Sequence, residues 1–389
     1  MAVALIAQSG GPTSVINASL LGVYEVAAKH SEISCLYGAL NGVTGVLSEN
    51  FIDLSKRDAR LMMRVGKTPA AALGSSRQEL TPEDLEHVVE IFRAHNIRYF
   101  FYNGGNGSMG TLSQLAATAR TMSYELQAVG IPKTIDNDLL ETDHTPGYPS
   151  TALFFACALR DIGADNRALA GQVEIVEILG RNVGWLAAAT ALARNAADDA
   201  PHLIYFPEVR LHTDALLSDV DQVYRKLGRC VVAVCEGQLN EHGEPFGSDV
   251  RSGSRGSLAM NLAHRLAMLI IERLRIKARS EKPGLLGRST SLCHSSADWA
   301  EARACGQAAV QAGINGLGGN MVTLIRESDA PYCASTGLVP LERVAFRERV
   351  FPASWRNETD NDVTSEFISY LSPLVGPIAH YERLDARGS

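Results

Sequence analysis

Nothing in this 389-residue sequence reaches the roughly 20 consecutive apolar residues that a membrane-spanning helix requires. Basic residues are outnumbered, with 36 Lys and Arg against 43 Asp and Glu and a formal net charge of -7. That balance argues against nucleic acid or an anionic membrane as a bulk partner, while a local basic pocket can still take phosphate. The seven cysteines (35, 157, 230, 235, 293, 305, 333) are odd in number and never spaced C-x-x-C. Reduced thiols in a cytoplasm are therefore expected, not a disulfide framework or a zinc site, and no secretory leader is read before Val3. Hydrolase and metalloprotease signatures are missing, with no G-x-S-x-G and no H-E-x-x-H, and the loop that directly follows Ile6 carries no G-x-G-x-x-G of a dinucleotide site. Gly66-Lys67-Thr68 invites a Walker-A reading, but Leu61 stands where its first glycine is required.

What is present reads as an ordinary globular protein, 46% hydrophobic and 20% charged, too long for one core and so expected to form two domains. Short apolar runs alternate with longer segments of helical period, the pattern of βα units and a parallel sheet. Strands are expected at Val3–Ala7, Ile97–Phe101, Val173–Ile178, Leu203–Phe206, Cys230–Cys235 and Met321–Ile325. Thr81 can cap a helix that has Pro82 in its first turn and Glu83 and Asp84 at its positive end, running to about His95. The polar stretch Asn240–Ser257 reads as a loop.

Chemistry concentrates in Gly130-Ile-Pro-Lys-Thr-Ile-Asp-Asn-Asp138. Lys133, Thr134, Asp136 and Asp138 place a cation, a hydroxyl and two carboxylates at the end of an apolar run. Phosphoryl transfer needs such a set: a charge neutraliser, a base for the attacking hydroxyl and a metal partner. Two glycine loops stand at comparable junctions, Gly10-Gly11 after the first apolar run and Gly104-Gly105 after Ile97–Phe101. Amides at a helix head bind phosphate, and glycine lets it approach closely.

The chain resembles the phosphofructokinase family from Ser9 to Leu384. The motifs are Ser9-Gly-Gly-Pro-Thr-Ser-Val-Ile-Asn17, Gly74-Ser-Ser-Arg77, Gly104-Gly-Asn-Gly-Ser108, Pro132-Lys-Thr-Ile-Asp-Asn-Asp138, Glu177-Ile-Leu-Gly-Arg181, Glu236-Gly-Gln238 and Pro373-Leu-Val-Gly-Pro377. The resemblance implies an α/β fold of two Rossmann-like lobes, with parallel-rich sheets sandwiched by helices and an active site in the interlobe cleft. A donor-binding lobe would comprise 1–139 plus 252–297, and a sugar-phosphate-binding lobe 140–251 plus 298–389. It implies Asp136 as general base, Thr134 as substrate-orienting, and Lys133, Arg77 and Arg181 as charge stabilisers. Gly10, Gly11, Gly105, Asn106, Gly107, Ser108 and Gly110 would bind the donor. Leu179, Gly180, Arg181, Glu236, Arg279 and Arg288 would join Thr134 and Asp136 in holding fructose 6-phosphate. Mg2+ would sit at Asp138 and Asn106, and a cytoplasmic homodimer or homotetramer is implied.

Several positions depart from the family pattern. Asn106 replaces an aspartate and brings no charge to a metal. Pyrophosphate users generally carry aspartate where this chain has Gly107, and Gly110 also matches nucleotide users, while Lys133 looks like the pyrophosphate branch. The donor therefore reads as ATP, with pyrophosphate as the alternative. Gln172, Leu285 and Gly287 replace polar or charged contacts around the 6-phosphate. A different sugar phosphate as acceptor, or a degenerate regulatory subunit that binds without turnover, stay open as alternatives.

Overall fold

The computed structural model describes residues 2–246, 250–253 and 256–384. Its strands are β1 (Ala2–Gln8), β2 (Ile33–Ala39), β3 (Phe51–Asp53), β4 (Ile97–Gly104), β5 (Gln127–Pro132), β6 (Gln172–Ile178), β7 (Leu203–Tyr205), β8 (Cys230–Cys235), β9 (Val250–Gly253), β10 (Gly256–Ala259), β11 (Lys277–Glu281), β12 (Asn320–Asp329) and β13 (Tyr332–Pro340). The chain divides into two compact units, Met1–Thr151 with Gly284–Phe351, and Ala152–Pro283 with Pro352–Ser389.

In the first unit the strand order is β13-β12-β5-β4-β1-β2-β3. The β1, β2, β4 and β5 pairings are parallel, and β12–β13 is an antiparallel hairpin joined to β5. The unbroken apolar runs of β1 and β4 follow from burial of both faces. Leu5, Ala7, Phe100 and Tyr102 enter one core and Ala4, Ile6, Tyr99 and Phe101 the other. The helix Pro82–Ala94 starts where its sequence places it, with Thr81 and Asp84 forming a reciprocal capping box. Gly66-Lys67-Thr68 lies at the end of the helix Ala59–Gly66, the wrong end for a phosphate loop.

The helices Ile16–Ala27 and Ser296–Ile314 touch through glycines: a Cβ on Gly22 would overlap the Arg303 carbonyl, and one on Gly306 the Ser19 carbonyl. Only hydrogen fits at these two positions.

The second unit is built on a parallel sheet of order β11-β6-β8-β7. One face is covered by Leu216, Leu217 and Val220 of the helix Thr213–Leu227 and by Leu262, Leu266 and Ile270 of the helix Leu262–Leu274. The C-terminal segment joins this unit through an aromatic group in which Trp355 packs on Trp185, Phe367 and Tyr370 at ring distances of 5.7, 5.6 and 4.8 Å.

Two expectations change. The boundaries differ because β11 pairs with β6, drawing residues up to Pro283 into the second unit. The pairing of β12 with β5 draws the 284–351 segment into the first. The expected loop Asn240–Ser257 contains β9 and the start of β10, an antiparallel ribbon with Ser257 opposite Ser252, while 247–249 and 254–255 lie outside the described residues.

Gly306→Ala is expected to destabilise the protein by about 1–3 kcal/mol through overpacking, read as a lower urea midpoint at unchanged slope.

Candidate active site

β1, β4 and β5 end side by side, and the order of the sheet reverses between β1 and β4. At such a switch point the loops beyond the carboxyl ends diverge and leave a crevice. Hydrogen bonds knit those loops together. Ser9 donates its amide to the Asn103 carbonyl at 2.8 Å, and Gly10 donates to Ser76 at 3.0 Å. The Ser75 hydroxyl donates to the Gly10 carbonyl at 2.7 Å, and Ser108 Oγ lies 2.8 Å from Ser9 Oγ. Lys133 is buried, with Nζ donating to the Gly11 carbonyl at 2.8 Å and its amide to Gly104 at 3.0 Å. Gly10 has φ +76, a conformation that favours glycine, and a Cβ there would stand 3.2 Å from Lys133 Nζ.

Gly105 is the N-cap of the helix Asn106–Thr121 and contributes no capping side chain. The amides at this head suit an anion. Gly107 is exposed, and nothing lies within 4 Å of a Cβ placed there. Arg77 is exposed in the loop that precedes the helix Pro82–Ala94. Arg288, expected at the sugar phosphate, lies in the first unit with its Cδ 3.4 Å from a Cβ placed on Gly11.

The segment after β5 has no regular ladder, so side chains and a few isolated backbone bonds satisfy its backbone. Thr134 Oγ1 accepts from the Asp136 amide at 3.1 Å. Asn137 turns the chain at φ +57, a conformation asparagine tolerates, and its Oδ1 accepts from the Thr145 amide at 3.0 Å. The Thr145 hydroxyl returns to the Thr134 carbonyl at 2.9 Å. Asp298, fully buried, accepts from the Gly147 amide at 2.8 Å and from the Ser150 amide and hydroxyl at 3.0 and 2.6 Å, holding the start of the helix Tyr148–Ala168. Burial outweighs those bonds and pushes its carboxyl up to about 6.

His144 lies deeper. Its Nδ1 is 2.8 Å from Asp143 Oδ2 and its Nε2 2.8 Å from Glu301 Oε2, at zero exposure. Arg326 braces Asp143 at 3.0 Å, and the Tyr332 hydroxyl donates to Glu301 at 2.5 Å. Burial opposes a charge on the ring, but the hydrogen bonds to Asp143 and Glu301 prevail and push it up to about 9.

Asp136 is half-buried, and Asp138 is 8% exposed. Burial first, then the charges of Asp136 and Glu348, pushes the Asp138 carboxyl up to about 7. Asp138 Oδ1 and Asn106 Oδ1 are buried and lack a hydrogen-bond partner among the described residues. These two orphaned oxygens, one of them at a helix head whose amides suit an anion, fit Mg2+, a hard cation that takes few protein oxygens and completes its shell with phosphate and water. Among the described residues no group of three His, Cys, Asp or Glu side chains is placed to hold a metal.

In the second unit, Leu179-Gly180-Arg181 and Glu236 follow the adjacent carboxyl ends of β6 and β8. Glu236 Oε1 accepts from the Arg181 amide at 3.3 Å, and burial raises its carboxyl above the usual range. Gly180 and Arg181 have φ of +141 and +51, and a Cβ on Gly237 would overlap the Arg181 carbonyl. Arg279 is exposed on β11 in register with Glu174, and Gln172 is buried at the amino end of β6, away from Arg181.

Sequence reading missed Asn137, His144, Asp298 and the segment 345–349. Asn106 Nδ2 donates to the Arg347 carbonyl, the Arg349 amide donates to the Asp138 carbonyl at 2.9 Å, and the Phe346 ring covers Gly110.

The phosphofructokinase family model matches residues 3–313. The chain belongs to the phosphofructokinase family. It is 39% identical over 381 residues to a pyrophosphate--fructose 6-phosphate 1-phosphotransferase of Rhodospirillum rubrum, covering 96% of this chain and 94% of the relative. It is 31% identical over 357 residues to a sulfofructose kinase of Alkalicoccus urumqiensis, covering 91% of each. A crystal structure of pyrophosphate-dependent phosphofructokinase from Marinobacter aquaeolei superposes with a TM-score of 0.88 at 34% identity, covering 99% of this chain and 94% of that one. The α/β architecture expected from the sequence is thus that of solved phosphofructokinases.

A histidine held above its ordinary 6.5 stabilises the fold fully below that pH, and the contribution is lost as pH rises through about 9. The melting temperature of the wild type should therefore fall across that window, and the fall should be smaller in His144→Gln. Near neutrality that substitution is expected to cost about 3–5 kcal/mol, the scale of breaking a buried charged network.

Proposed function

We propose that this phosphofructokinase transfers a phosphoryl group from pyrophosphate to the 1-hydroxyl of fructose 6-phosphate. The observation that carries the reading is the convergence of Gly10-Gly11, Gly104–Ser108 and Lys133–Asp138 at one switch point. The activity for which the 39% identical relative is named supports the choice of donor over the ATP reading of the sequence.

In this reading Asp136 accepts the proton of the attacking hydroxyl as its oxygen bonds to phosphorus, and the bond to the leaving phosphate breaks. Thr134, whose hydroxyl already fixes the Asp136 amide, orients the acceptor. The amides of Gly11 and of residues 105–108 cradle the donor, and Lys133 and Arg77 neutralise charge. Asp138 and Asn106 would hold Mg2+, which when bound offsets charge on the donor oxygens. The second unit is assigned the sugar phosphate, with Glu236 accepting from its hydroxyls, Leu179-Gly180 shaping the strand end and Arg181 stabilising the charge that develops. Arg279 is assigned to the 6-phosphate; Arg288, given its place at Gly11, serves charge nearer the donor. The same reading includes a homodimer or homotetramer in the cytoplasm.

One observation favours ATP as a second donor reading: the open space at Gly107. Likeness to a sulfofructose kinase, with Gln172, Leu285 and Gly287 at altered positions, keeps a related acceptor in view.

Parallel assays with pyrophosphate and ATP against a panel of sugar phosphates test the reading. Pyrophosphate with fructose 6-phosphate should give the highest kcat/KM, and Asp136→Asn should lower kcat by about 10²–10⁴. Binding without turnover for either donor would instead select a degenerate, ligand-binding subunit. Gly107→Asp should depress any ATP use more than pyrophosphate use; equal losses would remove that position from the donor argument.

A further inference from the structure

The segment after the short helix Leu341–Val344 crosses the head of the helix Asn106–Thr121 and is fixed there at several points. The Arg347 carbonyl accepts from Asn106 Nδ2. The Arg349 amide donates to the Asp138 carbonyl at 2.9 Å, and Arg349 Nη1 reaches the carbonyls of Thr142 and Asp143, each at 2.7 Å. Both residues assigned to the metal are thereby tied to this one strap.

At its tip stands Phe346, which is unusual in two ways. Its φ of +57 is the left-handed conformation, unfavourable for a bulky aromatic residue, and its side chain is 65% exposed. The ring is nevertheless placed with care. Its tip atoms Cζ, Cε1 and Cε2 occupy the space where a Cβ of residue 110 would sit, so the ring stands edge-on upon Gly110. Gly110 lies three residues beyond Gly107 and so on the same face of the helix, roughly 4.5 Å further along its axis. On the pyrophosphate reading, a two-phosphate donor lying along this face from the helix head ends before the ring. A donor with a nucleoside beyond its phosphates meets it, and the strap cannot withdraw without breaking its bonds to Asn106 and Asp138.

We propose that Phe346 is a donor-selecting wall: held over Gly110 by the 345–349 strap, it limits the site to a compact inorganic phosphoryl donor. This rests on the pyrophosphate reading above. It gives Gly110 a role in seating the ring instead of touching the donor, and it lets selectivity persist although Gly107 leaves its own position open.

The test is steady-state kinetics of the full-length wild type, Phe346→Ala and Phe346→Asn with magnesium, fructose 6-phosphate and either pyrophosphate or ATP. The asparagine variant removes the ring while retaining a residue that accepts the left-handed backbone, and melting curves establish that each variant is folded. The ratio of kcat/KM for ATP to that for pyrophosphate should rise by about tenfold or more in both variants, since discrimination is a ratio of kcat/KM values. A ratio that stays constant overturns the wall. A fall in ATP use overturns it too, because the ring would then be a stacking platform for a base. A wild type inactive with pyrophosphate but active with ATP sinks the donor reading itself, a result separable from a wild type that uses pyrophosphate and is unmoved by the substitutions.

Discussion

The grip of Asp143 and Glu301 on the two ring nitrogens of His144 is the interaction on which the packing around the segment after β5 depends. Asp136 and Asp138 lie on irregular chain, where no strand or helix supplies hydrogen-bond partners for the backbone. Such a turn would wander unless side chains replaced the missing ladder. Asn137, Thr145 and Asp298 do so nearby, and His144 anchors the far end to the helix Ser296–Ile314 and, through Tyr332 and Arg326, to the β12–β13 hairpin. A buried charge is tolerable there because both ring nitrogens find carboxylates. Positional accuracy at the turn is thus set by residues that never face the crevice.

Asn106 shows how a departure from a family pattern can be reinterpreted by its neighbours. As a ligand it is poorer than aspartate, for lack of charge. Yet its amide nitrogen donates to the Arg347 carbonyl, where a carboxylate would oppose one acceptor with another, and its Oδ1 stays available. One side chain therefore serves both the helix head and the strap.

Much of this was legible in the sequence wherever the signal was local. Val3–Ala7 and Ile97–Phe101 form strands because both faces of the sheet are covered, and the Thr81 box starts its helix because the reciprocal bonds need only four residues. The glycine loops and Lys133 were legible as a phosphate site and do adjoin one another. Partnerships across great sequence distance were not. His144 meets Glu301, 157 residues away, and Asn106 meets Arg347, 241 residues away, and neither pair leaves a spacing to detect. β11 reads Lys-Ala-Arg-Ser-Glu and lacks the apolar alternation of a strand, since its register with β6 alone decides its place.

The two-segment make-up of each unit bears on how the protein is born. During synthesis β1 to β5 leave the ribosome early, but β5 acquires its other neighbour, β12, only after about half the chain has followed. Val339 and Leu341, which help seal one core, arrive later still. A nascent chain must therefore carry a half-covered parallel sheet through about half of translation, an aggregation-prone interval in which pairing of distant strands is intrinsically slow. Chaperone demand for this enzyme should track the delay before residue 340 emerges, not its final stability.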